Sequence, residues 1–268
     1  MIFIDGTPLR LRENQMRNRF ALTASLTLIA AFSALSVRAA ELPTIPPQAI
    51  GVKKELLFSD DFAKSDYGDA WHKVVPTFTF ENGTLKGVQT RLKDEPSTDG
   101  KSTIKAHASV IGNNIPTKDS IITCKFRFDG STNMSVQFDD RAFKGSHYGH
   151  ICRVVMTPTS VTIMDERDGN QSLKIKELGL DPSKKDERNK LLIGRSATFP
   201  AQISNGEWHE LHLETIGEAM RATIDGKPVA YLKSSGIGHA TKSKIELGVA
   251  GKDGYFDDVS VWNAEPTP

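Results

Sequence analysis

Asp139-Asp140, His147, His150 and Asp165 gather carboxylates and imidazoles within one stretch of chain, a combination suited to moving protons. An imidazole titrates near neutrality, and a carboxylate beside it accepts a proton or fixes the ring's orientation. The same groups would suit a divalent cation, but two residues between His147 and His150 are no zinc signature, and the helical His-Glu-x-x-His pattern is absent. The competing reading is a polar loop whose histidines satisfy neighbouring backbone groups. Arg153 lies on the face opposite Cys152 and Val154, where its planar fork suits a ligand hydroxyl or carboxylate; a cross-strand ion pair suits it equally.

Glu210, His212 and Glu214 alternate along one strand and so share a face. Two carboxylates around an imidazole fit acid/base work, and a solvated outer face produces the same alternation. Arg127 and Gln137 point away from the core on neighbouring strands and are ligand-binding candidates. Trp71, Trp208 and Trp262 read as core before they read as platforms for a ligand. Cys124 and Cys152 sit on apolar-patterned strands, where a disulfide and two buried thiols are both open.

Strands must position these groups. Cys124, Phe126 and Phe128 alternate with Lys125 and Arg127; Met134, Val136 and Phe138 alternate with Ser135, Gln137 and Asp139. Leu211 and Leu213, then Ile245, Leu247 and Val249, repeat the pattern. One buried and one wet face per strand marks antiparallel sheet. Asn82-Gly83, Asp129-Gly130, Asp168-Gly169, Asp225-Gly226 and Asp253-Gly254 supply the positive φ angles that hairpins demand. Many short strands joined by turns imply an all-β sandwich or barrel. Between Leu173 and Ser196 a charged stretch breaks the pattern, and Asp181-Pro182 reads as the N-cap and first-turn proline of a short helix reaching Leu192.

The start of the 268-residue chain reads as a targeting signal. A short basic start, Met16-Arg17-Asn18-Arg19, precedes an uncharged run from Phe20 to Val37, and small residues at Val37-Arg38-Ala39 fit cleavage before Ala40. Residues 1–15 look like an upstream extension. The apolar run is shorter than the roughly 20 residues a bilayer span needs, so no integral membrane segment is expected after cleavage. Periplasmic or secreted localisation follows. The expected organisation is a leader at 1–39, a Pro-rich linker at 40–53, one domain at 54–264 and a tail at 265–268. The whole chain carries a net charge of only +1. Its leader holds an excess of arginine, so the remainder is near neutral and nucleic acid is not an expected partner. No phosphate-cradling Gly-rich loop, dinucleotide fingerprint or Gly-x-Ser-x-Gly elbow is present.

The runs Leu57-Phe58-Ser59-Asp60-Asp61-Phe62, Glu81-Asn82-Gly83-Thr84-Leu85, His147-Tyr148-Gly149-His150-Ile151-Cys152-Arg153-Val154 and Trp208-His209-Glu210-Leu211 occur in an order that resembles the 3-keto-disaccharide hydrolase domain family. Ile224-Asp225-Gly226-Lys227-Pro228-Val229 fits the same order. The closing Phe256-Asp257-Asp258-Val259-Ser260-Val261-Trp262 is similar to the last strand of laminin G-like modules and family-sixteen glycoside hydrolases. The resemblance spans about Glu55 to Asn263 and implies a concanavalin A-like jelly roll of two antiparallel sheets, with carbohydrate on the concave face. It implies hydrolysis of a disaccharide or 3-keto-disaccharide, with His147 or His150 as acid/base, Asp139 or Asp165 as orienting or metal-binding carboxylate, and Arg153, Arg127 and Gln137 on the substrate. It also implies a structural calcium near the paired first and last strands, on Asp61, Asp257 and Asp258 beside Asp60; turn chemistry and strand-end capping explain the same residues. One departure matters: the family-sixteen run of Glu, one residue, Asp, two residues, Glu is missing. That absence favours the rival expectation, a noncatalytic laminin G-like module that binds glycans or envelope proteins.

Overall fold

The computed structural model describes residues 41–268 apart from positions 65 and 76. The leader at 1–39 and its cleavage site lie outside the described residues. Fifteen strands are present among those described: β1 (Gly51–Asp60), β2 (Trp71–Val75), β3 (Phe78–Glu81), β4 (Thr84–Gly87), β5 (Glu95–Pro96), β6 (Thr103–Ile104), β7 (Ser109–Asn113) and β8 (Ser120–Asp139), then β9 (His150–Thr157), β10 (Ser160–Asp165), β11 (Ser196–Pro200), β12 (His209–Ile216), β13 (Ala219–Ile224), β14 (Lys227–Lys233) and β15 (Lys244–Pro266). Helices α1 (Leu173–Leu178) and α2 (Lys185–Leu192) lie between β10 and β11.

Two very long strands organise everything else. β8 and β15 pair antiparallel over almost their whole length, from Asp139 opposite Lys244 to Ser120 opposite Asn263. The free edge of β8 takes β12 along Ser120–Phe126 and β9 along Met134–Asp139. The free edge of β15 takes β7 against Ile245–Val249 and β1 against Val259–Pro266. One layer therefore reads β14-β13-β12-β8-β15-β1, and the other reads β11-β10-β9-β8-β15-β7-β2. β14 packs on β10 and β11 without pairing, so the two layers face each other as a sandwich. Strands that bend through both layers are how such sandwiches turn their corners. Register shifts in the β8–β15 ladder cluster near Gly130 and Gly251, where that turn is made, and another lies between Asp257 and Ser260.

Alternation holds through the bend. Cys124, Phe126 and Phe128 in one half of β8, and Met134, Val136 and Phe138 in the other, all enter a single core. Leu211 and Leu213, Val161 and Ile163, and Ile245, Leu247 and Val249 meet them there. The all-β jelly-roll sandwich expected from the sequence is the fold observed. Two turns form as expected: Asn82-Gly83 and Asp225-Gly226 each place both residues at positive φ between hairpin strands. Asp129-Gly130 and Asp253-Gly254 are different, lying inside β8 and β15 at the bend instead of reversing the chain. Asp181 caps its helical turn as expected, accepting a bond from the Ser183 amide at 2.9 Å.

The Pro-rich segment at 40–53 differs from a free linker. β1 begins at Gly51, and the residues before it lie along the outer face of the first layer. Arg221 donates to the Pro46 carbonyl at 2.9 Å and the Pro47 carbonyl at 3.2 Å, while Glu214 accepts the amides of Ile50 and Gly51. The end of the chain closes over the same stretch, with the Thr267 amide donating to Ile50. Among the described residues no helix is long and apolar enough to cross a membrane.

Candidate functional site

On the second layer the face turned away from the core carries a row of charged and polar side chains one strand apart. Antiparallel register sets His72, Gly112, Glu246, Gln137, Arg153, Met164 and Ser196 side by side from β2 to β11. Two residues further along, Lys244, Asp139 and His150 form a second row. Although these residues point away from the hydrophobic core, Asp139, Gln137, Lys244 and Glu246 are all buried. Their neighbours on this face cover them, and this covered polar cluster with the surface above it is the recess. Gly112 leaves room for this packing, because a Cβ there would come within 2.7 Å of His72 Nε2.

A hydrogen-bond network joins the floor. His150 Nδ1 lies 2.8 Å from Asp139 Oδ1 and 2.6 Å from the Gln137 amide nitrogen, two contacts that fix the ring. The Gln137 amide donates to Asp139 Oδ1 at 2.9 Å and to Glu246 Oε2 at 3.2 Å. Lys244 bonds Glu246 and stands 3.3 Å from Asp139 Oδ2. That separation supplies charge but not a hydrogen bond of good geometry, and Oδ2 has no bonding partner. Glu166, just beyond β10, ion-pairs with Arg153 at 2.9 Å; its Oε2 and Arg153 Nε also lack partners. These are unmet buried acceptors and donors within one cluster.

The network drives its members' acidities apart. Burial on its own would raise the Asp139 pKa, but the His150 hydrogen bond and the charges of His150 and Lys244 lower it overall. Burial likewise opposes the His150 cation, yet Asp139, with Glu166 and Glu246 behind it, raises the imidazole above its usual value. Glu246 is raised by burial and by the Asp139 charge, against the pull of Lys244. Glu166 is raised by burial against the pull of Arg153. His72 is lowered by burial and by the Arg141 and Lys244 charges, and Arg141 donates to its Nε2 at 2.9 Å. The recess thus holds a carboxylate with a lowered pKa, an imidazole raised above its usual value and two carboxyls that resist ionising.

Of the residues singled out in the sequence, the structure unites Asp139, His150, Gln137 and Arg153. His147 stands beside them, its ring 5.9 Å from that of His150, with its pKa lowered by burial and by Lys176. Asp165 does not join. It follows Val161 and Ile163 on the core-facing side of β10, where it accepts from the Asp168 and Gly236 amides, Arg195 and Ser234. Its work is to tie the end of β10 to the loop after β14, so the expected catalytic role of Asp165 is corrected on geometry. Asp140 pairs with His239 at 2.9 Å and holds the following loop. Arg127 and Gln137 are not on neighbouring strands but ten positions apart on β8, about 33 Å of extended chain. Arg127 lies in the half of β8 that belongs to the other layer, flanked by Trp208 at 5.0 Å and Tyr255 at 4.3 Å, away from the recess.

Glu210, His212 and Glu214 do share a face, but Glu214 is fully buried in its ion pair with Arg221 at 2.7 Å, which removes it from acid/base service. Asp61 caps the Ala63 amide, Asp257 accepts from the Asp258 amide, and Asp258 pairs with Lys125 at 2.6 Å. Among the described residues no three acidic, imidazole or thiol side chains converge as a cation site. Asp61, Asp257 and Asp258 serve turns and an ion pair. Cys124 and Cys152 are separate buried thiols. The members that sequence reasoning missed are Glu246, Lys244, Glu166 and His72. Lys244 and Glu246 alternate with Ile245 and Leu247, the signal of an outward face, but the register that sets them beside Asp139 and Gln137 is not written locally.

The fold and this cluster define a jelly-roll sandwich with a polar face on its second layer. No protein-family model matches the sequence, and no curated protein does. Solved structures match its architecture. A non-specific endo-β-1,3(4)-glucanase from glycoside hydrolase family 16 superposes with a TM-score of 0.54 at 12% identity, over 83% of this chain and 96% of that one. A GlcNAcα1-4Gal-releasing endo-β-galactosidase from Clostridium perfringens gives 0.53 at 14% identity, over 83% of this chain and 65% of that one. Porphyranase B from Zobellia galactanivorans gives 0.50 at 9% identity, over 77% and 90%. At these identities the likeness shows the shared fold.

Proposed function

We propose that this chain is an exported carbohydrate-active hydrolase that binds a disaccharide or 3-keto-disaccharide in the recess of the second layer. The observation that carries this reading is the buried Asp139–His150 pair set beside Glu246, whose acidity is shifted the opposite way. The neighbours of like fold are named as enzymes of glucans, galactosides and porphyran, which supports sugar as the ligand class. Cleaving a glycosidic bond requires one proton delivered to the departing oxygen and one taken from the water that adds to the anomeric carbon. Glu246, whose acidity is weakened by burial and by the Asp139 charge, is the group assigned to give the proton. His150 Nε2, steadied through Nδ1 by Asp139, takes the proton from water as the new C–O bond forms and the old one breaks. Arg153, about a third exposed on this face, is the group that would hold a sugar hydroxyl by its guanidinium.

A second reading, a glycan-binding module without turnover, is favoured by the missing Glu-x-Asp-x-x-Glu run of family-sixteen enzymes. One assay separates the two: binding and cleavage of a panel of disaccharides and their 3-keto forms by the wild type and by His150→Asn. Turnover that His150→Asn abolishes selects the enzyme. Binding with no turnover selects the module, and no binding at all removes carbohydrate from the recess.

A further inference from the structure

Tyr148 is the most exposed aromatic residue at the rim of the recess, with 81% of its surface open, and it sits in the left-handed backbone region at φ 50°, ψ 18°. A bulky residue there is strained and persists only when its surroundings over-determine the loop. They do so here. The Asp140 amide donates to Gly149 at 2.8 Å, Ser146 Oγ donates to the His150 carbonyl at 2.7 Å, and the His147 amide donates to Gln171 at 2.8 Å. Gly149, also at positive φ, cannot be replaced, because a Cβ there would lie 2.1 Å from the Asp140 carbonyl oxygen.

Neither core packing nor a hydrogen bond explains a tyrosine at this position: the side chain is open, and no described residue bonds its hydroxyl. What the strained turn achieves is placement. The Tyr148 ring stands 4.4 Å from the His147 ring and 6.4 Å from the His150 ring, beside the mouth of the recess. An exposed aromatic face next to polar groups suits a ligand with both a flat C–H face and hydroxyls, which a pyranose ring has.

We infer that Tyr148 is the stacking platform that seats a sugar ring over His150, a positioning role that rests on the carbohydrate reading above. Tyr148→Asn removes the ring while placing at this backbone position a residue that tolerates it. Binding of maltose, cellobiose, sucrose and their 3-keto forms should weaken about tenfold in Tyr148→Asn. KM should rise with little change in kcat, whereas His150→Asn loses kcat. Tyr148→Phe should behave as wild type, and the Tm of Tyr148→Asn should equal or exceed that of wild type. Unchanged affinity in Tyr148→Asn for a saccharide that the wild type binds overturns the stacking role alone. A Tm several degrees lower also overturns it, by showing that the tyrosine serves the loop. A wild type that binds none of these sugars overturns the carbohydrate reading, and this inference falls with it.

Discussion

Asp139 and Glu246 accept hydrogen bonds from the same amide nitrogen of Gln137, at 2.9 and 3.2 Å, yet their acidities move in opposite directions. The difference is one of neighbours. Burial opposes ionisation of both and Lys244 favours it in both, but Asp139 also holds the His150 hydrogen bond, whereas Glu246 faces the Asp139 charge. Two carboxyls this close share one favourable negative charge better than two, and Asp139 holds it.

The first consequence concerns His150. Asp139 is the largest contribution that lifts its pKa against the effect of burial, so Asp139→Asn lowers the value. If His150 acts as base, the ascending limb of kcat/KM against pH lies above 6.5 in wild type and moves to lower pH in Asp139→Asn, with a lower plateau. The stability sign agrees: a folded pKa raised above the unfolded value contributes stability that is present below about pH 6.5 and lost as pH rises through the folded value. Urea denaturation across pH 5 to 9 should show that loss in wild type and less of it in Asp139→Asn. An unmoved limb, with the wild-type loss retained, would mean that His150 does not titrate against Asp139.

Glu214 makes a different prediction, about architecture. It is buried with Arg221 and receives the Ile50 and Gly51 amides, so it fastens the chain's entry to the outer face of the first layer. Glu214→Gln keeps an acceptor but leaves the Arg221 cation unpaired, which costs about 3–5 kcal/mol. Adding Arg221→Met removes the stranded charge, so the double variant should lose less than the sum of the singles. Additive losses in chemical denaturation would show that the two groups are uncoupled.

How much of this was legible depended on how local each cause is. Alternation along Met134–Phe138 and Ile245–Val249 identified strands and faces, because a strand's period is a property of its own residues. Asn82-Gly83 and Asp225-Gly226 were legible for the same reason. Asp129-Gly130 was not, since a turn pair and a bend pair look alike until the long pairing of β8 with β15 decides between them. Asp139 and His150 were found because one loop joins them. Glu246 comes from a strand more than a hundred positions later, and only register brings it to Gln137. Asp165 misled because it lies near His150 in sequence while its side chain enters the opposite face of the sheet.

The two cysteines test compartment-independent packing. Burial pushes both thiols up to about 12, so neither forms thiolate at neutral pH in the folded state. A thiol reagent such as DTNB should therefore leave the native protein unmodified over an hour and titrate both cysteines in guanidinium. Fast modification without denaturant would contradict this burial.

Glu246 gives the most discriminating test, because the recess and not the sequence singles it out. Its raised pKa means that it keeps a proton to higher pH than a solvated glutamate, so as the proton donor it loses function as pH rises through that value. Glu246→Gln cannot give up a proton. Turnover should fall by about 10²–10⁴, the usual worth of general acid–base catalysis, while sugar affinity stays close to wild type. Stability should move the other way. In wild type a buried carboxyl with a raised pKa contributes less as pH climbs from about 4.5 through its folded value, and Gln lacks that decline, so Glu246→Gln gains on wild type across the window. A variant that keeps turnover, or that loses turnover together with affinity, would move Glu246 from the reaction to the scaffold that holds Lys244 and Gln137 in place.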